Sequence, residues 1–189
     1  MTNITTVILA AGKSSRFNVK TSKLIYPLCG LPIISHIVKI AEKISKKNII
    51  IVCNKQNITE LKSLHKNCTF VIQQKQRGTA HAIEQTKNII KTKNVLVLFG
   101  DTPLIEISNL TKLIKNFESS NAKASLIAFK TNQPSGYGRL VINNNKLKEI
   151  IEEINLNKQQ KKINLCNSGI LIVNKKILFE NIKHIKLHK

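Results

Sequence analysis

Ile4-Thr5-Thr6-Val7-Ile8-Leu9-Ala10-Ala11-Gly12-Lys13-Ser14-Ser15-Arg16 is the stretch that decides the fold of this chain. Its first half has the composition of a strand, and it closes on small residues, a glycine and a basic, hydroxyl-rich turn. Small residues let a ligand lie against the backbone, while Lys13 and Arg16 bring positive charge. A first parallel strand with a phosphate or nucleotide site at its carboxyl end fits this order. A strand followed by a glycine turn and a solvated loop fits it equally.

Strands and helices alternate outward from there. After Pro32, which suits the first turn of a helix, Ile33, Ile34, Ile37, Val38, Ala41 and Ile44 recur at helical spacing. Short apolar runs predict strands over 48–53, 69–73, 95–99 and 124–129. Helices are predicted over 57–66, from Gly78 through Ile90, and from a Ser108 cap through Phe117. This alternation argues for a parallel sheet covered on both faces. The texture changes after Thr131. Arg139–Ile142 and Leu147–Ile151 flank Asn143-Asn144-Asn145 and read as a β-hairpin inserted after about residue 135. A polar loop over 155–164, a strand over 165–173 and a helix over 175–182 follow.

The chain's 189 residues suffice for one domain with a real core, and 42% hydrophobic content excludes a disordered composition. No apolar run reaches the roughly 18 residues of a membrane span, and no secretory leader pattern opens the chain, so a cytoplasmic protein is expected. The net charge of +21 raises the question of nucleic acid. Yet only Arg16, Arg77 and Arg139 are arginines among 31 basic residues, and aromatics are few and scattered. Base-edge and bidentate phosphate recognition favour Arg, so no specific nucleic-acid partner is expected. Cys29, Cys53, Cys68 and Cys166 form no zinc-type pair; Cys53 and Cys166 read as small core residues.

The rare residues fall in informative places. Nearly all seven glycines lie at the end of a predicted strand or the start of an element. Asp101, the sole aspartate, follows an apolar strand in Phe99-Gly100-Asp101-Thr102-Pro103. It is suited to hold Mg²⁺ beside a triphosphate or to cap the turn before Pro103. The first is favoured, because Mg²⁺ takes only one or two protein carboxylates besides phosphate oxygens. Lys23 and Arg16 are the natural charge-neutralising pair near Gly12. Gln73 reads as a base-reading amide or a surface glutamine, and His81 as a packing residue. Glu152 and Glu153 are adjacent, so on a strand only one can face a site.

Combined in order, these segments resemble a known family. Leu9-Ala10-Ala11-Gly12 with Arg16 and Lys23 is similar to the signature of sugar-1-phosphate nucleotidyltransferases. Gln73 with Gln76-Arg77-Gly78-Thr79-Ala80-His81-Ala82, Phe99–Leu104, Gly136-Tyr137-Gly138-Arg139, Ile151-Glu152 and Asn167–Leu171 narrow it. Their order resembles the uridylyltransferase half of the bacterial bifunctional enzymes that make UDP-N-acetylglucosamine. The resemblance implies a Rossmann-like, mostly parallel twisted sheet and transfer of UMP from UTP to N-acetylglucosamine-1-phosphate with Mg²⁺. By resemblance, Leu9, Ala10, Ala11, Gly12, Gln73, Gly78 and Thr79 hold the nucleotide. Phe99, Gly100, Gly136, Glu152 and Asn167 serve the sugar, Asp101 binds Mg²⁺, and Arg16 and Lys23 face the phosphates. Ser14 replaces a second glycine of the family's loop, Ser22 a proline before the lysine, and Phe99 a tyrosine. The same resemblance leads us to expect one nucleotidyltransferase domain over 1–189, incomplete at its carboxyl end, without the family's β-helical acetyltransferase half. Two other expectations go with this: a nucleotide-binding fragment that is non-catalytic or relies on a separate chain for the missing part, and a nucleotidyltransferase for another sugar phosphate.

Overall fold

The computed structural model describes residues 3–12, 22–144 and 146–185. The chain forms two compact units, Met1–Ser125 with Ile172–Lys189, and Leu126–Leu171.

The first unit is organised around β1 (Ile4–Leu9), buried at all positions but the half-buried Leu9. Burial on both faces suits a parallel strand between two layers. Thr5 and Thr6 tolerate it because their hydroxyls are paired, Thr5 with the Thr92 hydroxyl at 2.8 Å and Thr6 with that of Ser45 at 2.6 Å. Next, β2 (Pro27–Leu28) and β3 (Leu31–Pro32) form a small antiparallel ribbon. It turns through Cys29 and Gly30, both at positive φ (+48° and +78°), as a tight two-residue hairpin requires. Helix α1 (Ile33–Ser45) buries Ile34, Ile37, Val38, Ala41 and Ile44, the stripe its spacing predicts, and packs on β1 and on β4 (Ile49–Cys53).

The unit continues through α2 (Ile58–Leu64), β5 (Thr69–Ile72), α3 (Thr79–Glu84), β6 (Asn94–Phe99) and α4 (Ile107–Ser119). Its strands run β5-β4-β1-β6, all parallel, with Leu9 level with Val52 and Phe99, and Val52 level with Val71. The chain thus moves outward from β1 through β4 to β5, then crosses back to lay β6 on the other side of β1. Right-handed crossovers place the connections before and after that reversal on opposite faces. Their loops part at the carboxyl ends of β1 and β6, the position where open α/β sheets take ligands.

Two helix boundaries differ from expectation. Helix α3 stops at Glu84 instead of Ile90. The Thr86 hydroxyl donates to the Ile83 carbonyl at 2.6 Å, and the following amides bond three or four residues back, so the segment tightens into successive turns. Helix α4 is capped at Glu106, not Ser108, whose hydroxyl instead donates to the Glu106 carboxylate at 2.9 Å.

The second unit is antiparallel. Strand β7 (Ala124–Lys130) leads into it and pairs with β10 (Leu165–Asn174), while β8 (Arg139–Asn143) and β9 (Lys146–Ile151) form the expected hairpin. Leu140 faces Ile150, and a register shift follows Val141. Cys166 of β10 pairs with Arg139 of β8. One 3₁₀ turn, Glu153–Asn155, leads into the segment expected as loop over 155–164, and a second, Gln160–Lys162, lies within it. The chain returns to the first unit as α5 (Lys175–Ile182), capped by the Asn174 side chain, which accepts from the amides of Lys176 and Ile177. Cys53 and Cys166 are fully buried, as read from their apolar surroundings. Among the described residues no helix is long and apolar enough to cross a membrane.

Candidate active site

The parallel register sets Ala10–Gly12, Asn54, Gln73 and Gly100–Asp101 along one edge of the first unit's sheet. The ladder extends past the strands themselves: Ala10 N–H donates to Val52 O at 2.7 Å, Gln73 N–H to Cys53 O at 2.8 Å, and Gly100 N–H to Leu9 O at 3.0 Å.

The loop after β1 is held from behind by three amides. Asn57 Nδ2 donates to the Ala10 carbonyl at 2.8 Å, Asn54 Nδ2 to the Ala11 carbonyl at 3.2 Å, and Gln76 Nε2 to the same Ala11 carbonyl at 2.6 Å. Asn54 and Asn57 also lock each other. The backbone N–H of Asn54 donates to Asn57 Oδ1, and that of Asn57 to Asn54 Oδ1, both at 3.0 Å. In a trans peptide the N–H points opposite to the carbonyl of the same plane. Fixing the Ala10 and Ala11 carbonyls therefore aims the N–H groups of Ala11 and Gly12 away from these amides. Ala10 and Ala11 are buried and Gly12 is exposed, and a β-carbon at Gly12 would meet nothing within 4 Å. Arg16, assigned to the phosphates from the sequence, lies outside the described residues, as do Lys13, Ser14 and Ser15.

Gln73 departs from one of its two readings: it is buried, 5% exposed, and not a surface side chain. Its amide nitrogen donates to Gly78 O at 3.1 Å and lies 3.0 Å from His81 Nδ1. Gly78 takes φ +89°, a conformation that favours glycine, and turns the chain into α3 with Thr79 exposed at its first position. Cys53, just before Asn54, donates its thiol to Val71 O at 3.3 Å, and burial pushes its pKa up, so it is an inert packing group.

At the β6 end, Phe99 is half-buried and Gly100 buried. A β-carbon on Gly100 would press on Leu24 Cδ2 at 3.2 Å and Leu9 O at 3.3 Å. Asp101 is exposed, and Lys23 Nζ reaches its carboxylate at 3.2 Å from 78 residues away. Among the described residues no three His, Cys, Asp or Glu side chains cluster as a metal cage. Mg²⁺ shared with phosphate oxygens needs only one or two protein carboxylates. The exposed Asp101 carboxylate fits that donor set.

In the second unit the other sequence candidates surround a buried arginine. Arg139, 1% exposed, donates Nε to Ile163 O at 3.0 Å and Nη1 to Tyr137 O, and pairs through Nη2 with Glu153 at 2.8 Å. The same Glu153 oxygen accepts from Gly136 N–H at 3.3 Å, and Gly136 takes φ +87°. Glu153 thus serves the arginine, and the exposed Glu152 carboxylate lies beside Gly138, its Oε1 3.4 Å from the point a β-carbon there would take. Asn167 N–H donates to Gly138 O at 2.9 Å. Its Oδ1 accepts from Gly169 N–H at 2.9 Å, which leaves the side-chain NH₂ as its donor.

The sequence matches the family model described as the MobA-like NTP transferase domain over residues 6–164. The chain belongs to the MobA-like NTP transferase family. Similar proteins include the bifunctional protein GlmU of Bartonella bacilliformis, 34% identical over 179 residues, covering 92% of this chain and 40% of that protein. GlmU of Buchnera aphidicola subsp. Baizongia pistaciae is 37% identical over 88% of this chain and 37% of its own length. This NTP transferase chain spans about two fifths of the length of these relatives. A Bacillus anthracis crystal structure, of a protein provisionally assigned as a glucose-1-phosphate thymidylyltransferase and solved with sucrose, superposes with a TM-score of 0.83. It is 22% identical, and the match covers 97% of this chain and 76% of that one, which supports the nucleotidyltransferase fold.

The bracing roles of Asn54, Asn57 and Gln76 escaped the sequence reading, and Glu153 entered it only as the neighbour of Glu152, without its arginine partner. Val52-Cys53-Asn54-Lys55-Gln56-Asn57 does carry a local signal, since two asparagines three apart after a strand favour side-chain-to-backbone turns. Nothing local indicates that their amides reach Ala10 and Ala11.

Proposed function

We propose that this nucleotidyltransferase transfers the uridylyl group of UTP to N-acetylglucosamine-1-phosphate, releasing pyrophosphate. The observation that carries this reading is the shared edge. One parallel register aligns a braced small-residue loop, the buried Gln73 amide and the Asp101–Lys23 pair at the carboxyl ends of β1, β5 and β6. The nucleotide is assigned to Leu9–Gly12, Gln73, Gly78 and Thr79, with the Ala11 and Gly12 amides as donors to it. Lys23, together with Arg16, neutralises phosphate charge. A phosphate oxygen of the sugar-1-phosphate attacks the α-phosphorus in line. The bond from that phosphorus to the bridging oxygen breaks, and pyrophosphate leaves with the electron pair. No covalent intermediate on the protein is required; positioning and charge stabilisation lower the barrier. Asp101 would hold Mg²⁺, which supplies further neutralisation of phosphate charge when bound.

The sugar is assigned to Phe99, Gly100, Gly136, Glu152 and Asn167. An acetamido group offers one donor and one acceptor. The Glu152 carboxylate as acceptor and the Asn167 NH₂ as donor complement it, which favours an N-acetylhexosamine over a plain hexose. On this reading residues 1–189 make one nucleotidyltransferase domain, acting in the cytoplasm.

The test is pyrophosphate release with UTP, Mg²⁺ and a panel of sugar-1-phosphates. N-acetylglucosamine-1-phosphate should be the best acceptor, and Asp101→Ala should lose at least a hundredfold in rate. Turnover that is equal with glucose-1-phosphate refutes the sugar assignment, and turnover unaffected by Asp101→Ala refutes the metal assignment.

A further inference from the structure

Lys23 and Asp101 stand 78 residues apart in the chain, yet the ammonium of one meets the carboxylate of the other at 3.2 Å. Their neighbours explain the meeting. Lys23 opens a single 3₁₀ turn, Lys23–Ile25, capped by the Ser22 hydroxyl, which accepts from Leu24 N–H at 3.4 Å. Ile25 N–H donates to Ser22 O at 3.1 Å and Tyr26 N–H to Lys23 O at 3.2 Å. The turn has one buried residue, Leu24, and its side chain packs on Gly100, the residue before Asp101. Lys23 meets Asp101 because Leu24 meets Gly100.

The backbone does not require glycine at 100, since its φ lies outside the left-handed region. Space requires it. A β-carbon there would stand 3.2 Å from Leu24 Cδ2, 3.3 Å from Leu9 O and 3.5 Å from Ile34 Cδ1. The first distance is shorter than the roughly 3.5–4.0 Å of an optimal contact between carbons. Leu9 O is tied to β6 through Gly100 N–H at 3.0 Å, and Ile34 is fully buried in α1. Leu24, carried on one short turn, is the neighbour that would give way. The place of the missing side chain is filled by the protein itself and is not a gap left for substrate.

We propose that Gly100 is a positioning residue for Lys23. The notch left by its absent side chain seats Leu24, and the seated leucine holds the lysine at the height of Asp101 and of the nucleotide's phosphates. An ammonium acts as a point charge, so its reach decides what it neutralises. A misplacement of about 1 Å at a reacting site can cost on the order of a hundredfold in rate. The inference rests on the assignment of Lys23 to the phosphates and adds the residue that sets where it stands. A sugar touching Gly100 would meet its backbone alone.

The experiment measures binding of UTP and of uridine by calorimetry, with kcat and KM for UTP. The proteins are the parent, Gly100→Ala, Lys23→Met, Gly100→Ala/Lys23→Met, Leu24→Val and Gly100→Ala/Leu24→Val. Uridine carries no phosphate, so it reports on the site without Lys23. Gly100→Ala should lower kcat/KM for UTP at least tenfold and weaken UTP binding severalfold, while uridine binding stays within about twofold. Without Lys23 the same substitution should leave UTP binding nearly unchanged, because the group it displaces is gone. Leu24→Val should recover much of the loss in the Gly100→Ala protein by returning the space. Leu24→Val alone loosens the seat without adding an atom beside Leu9 O, so it should weaken UTP and spare uridine even if Gly100→Ala fails to fold. Gly100→Ala overturns the proposal if it leaves UTP unchanged, weakens uridine equally, costs as much without Lys23 as with it, or gains nothing from Leu24→Val. The uridylyl reading stands in each of those cases. Lys23→Met that binds and turns over UTP like the parent, or a parent that binds neither ligand, overturns the phosphate assignment and the proposal with it.

Discussion

Replacing Asn57 tests whether the loop after β1 is held as the structure indicates. Asn57→Ala removes the donor to Ala10 O (2.8 Å) and the acceptor of Asn54 N–H (3.0 Å), at a residue only 3% exposed. Each buried group left without a partner costs about 1–3 kcal/mol. With a water entering the vacated space, the pair is worth roughly 3 kcal/mol. For a chain of this size that lowers Tm by roughly 6–12 °C. Asn57→Asp separates the two bonds. It keeps an acceptor for Asn54 N–H but sets a carboxylate oxygen against the Ala10 carbonyl. A protonated carboxyl could donate there, so folding raises the pKa of the introduced carboxyl above its unfolded value of about 3.9. The native state then binds the proton more tightly than the unfolded chain. The deficit relative to the parent should therefore shrink as pH falls through that raised pKa and grow again as pH rises. Thermal melts of parent, Ala and Asp proteins between pH 4 and 8, paired with UTP calorimetry, read both effects. If both variants melt within about 2 °C of the parent at pH 7, the amides do not hold the loop, and the N–H groups of Ala11 and Gly12 are not aimed by them.

Three further outcomes follow from particular residues. Gly78→Ala meets no neighbouring atom, so its cost is backbone strain at φ +89° and ψ 179°, a region essentially confined to glycine, roughly 1–3 kcal/mol, and it should weaken UTP binding more than it lowers Tm. His65, its Nε2 3.2 Å from the Ser35 hydroxyl, has its pKa lowered by burial against a weaker opposing pull from Glu42. Stability should thus be full above about 6.5 and fall as pH drops from there through the lowered folded value, a component that denaturant midpoints should show lost in His65→Gln. Burial and then the Glu42 charge push the Cys68 thiol up to about 11, so mass-spectrometric mapping of iodoacetamide labelling at pH 8 should find exposed Cys29 modified well before Cys68, with Cys53 and Cys166 protected until the chain unfolds.

Much of the fold was legible because it rests on patterns that burial imposes. Strands β1, β4 and β6 are near-continuous apolar runs, and α1 shows its buried stripe in plain spacing. The boundaries that were misread depend on single side chains. Thr86 diverts a carbonyl from α3, and Glu106 rather than Ser108 starts α4. At the candidate site, Gly12, Gly78 and Asp101 announce themselves as rare residues in telling places. The bracing amides do not, because their partners lie 43, 47 and 65 residues away, and an asparagine or glutamine in a lysine- and asparagine-rich chain carries no sign of its reach. The division of labour between Glu152 and Glu153 was half legible. Adjacency said that one must turn elsewhere, and only the buried Arg139 says which.

That arginine has a consequence for how the chain tolerates change. Only three of 31 basic residues are arginines, so lysine is this chain's default cation. A lysine at 139 would bring one compact ammonium into a space where a planar fork now ties residues 137, 153 and 163 together. Swapping lysine for arginine across the exposed surface should be silent, and the reverse swap at 139 should unfasten three separate loop segments at once. The rarity of the residue therefore works as a locator. Where a sequence biased so heavily toward one cation uses the other inside its core, the geometry of the guanidinium, and not its charge, is what the fold requires.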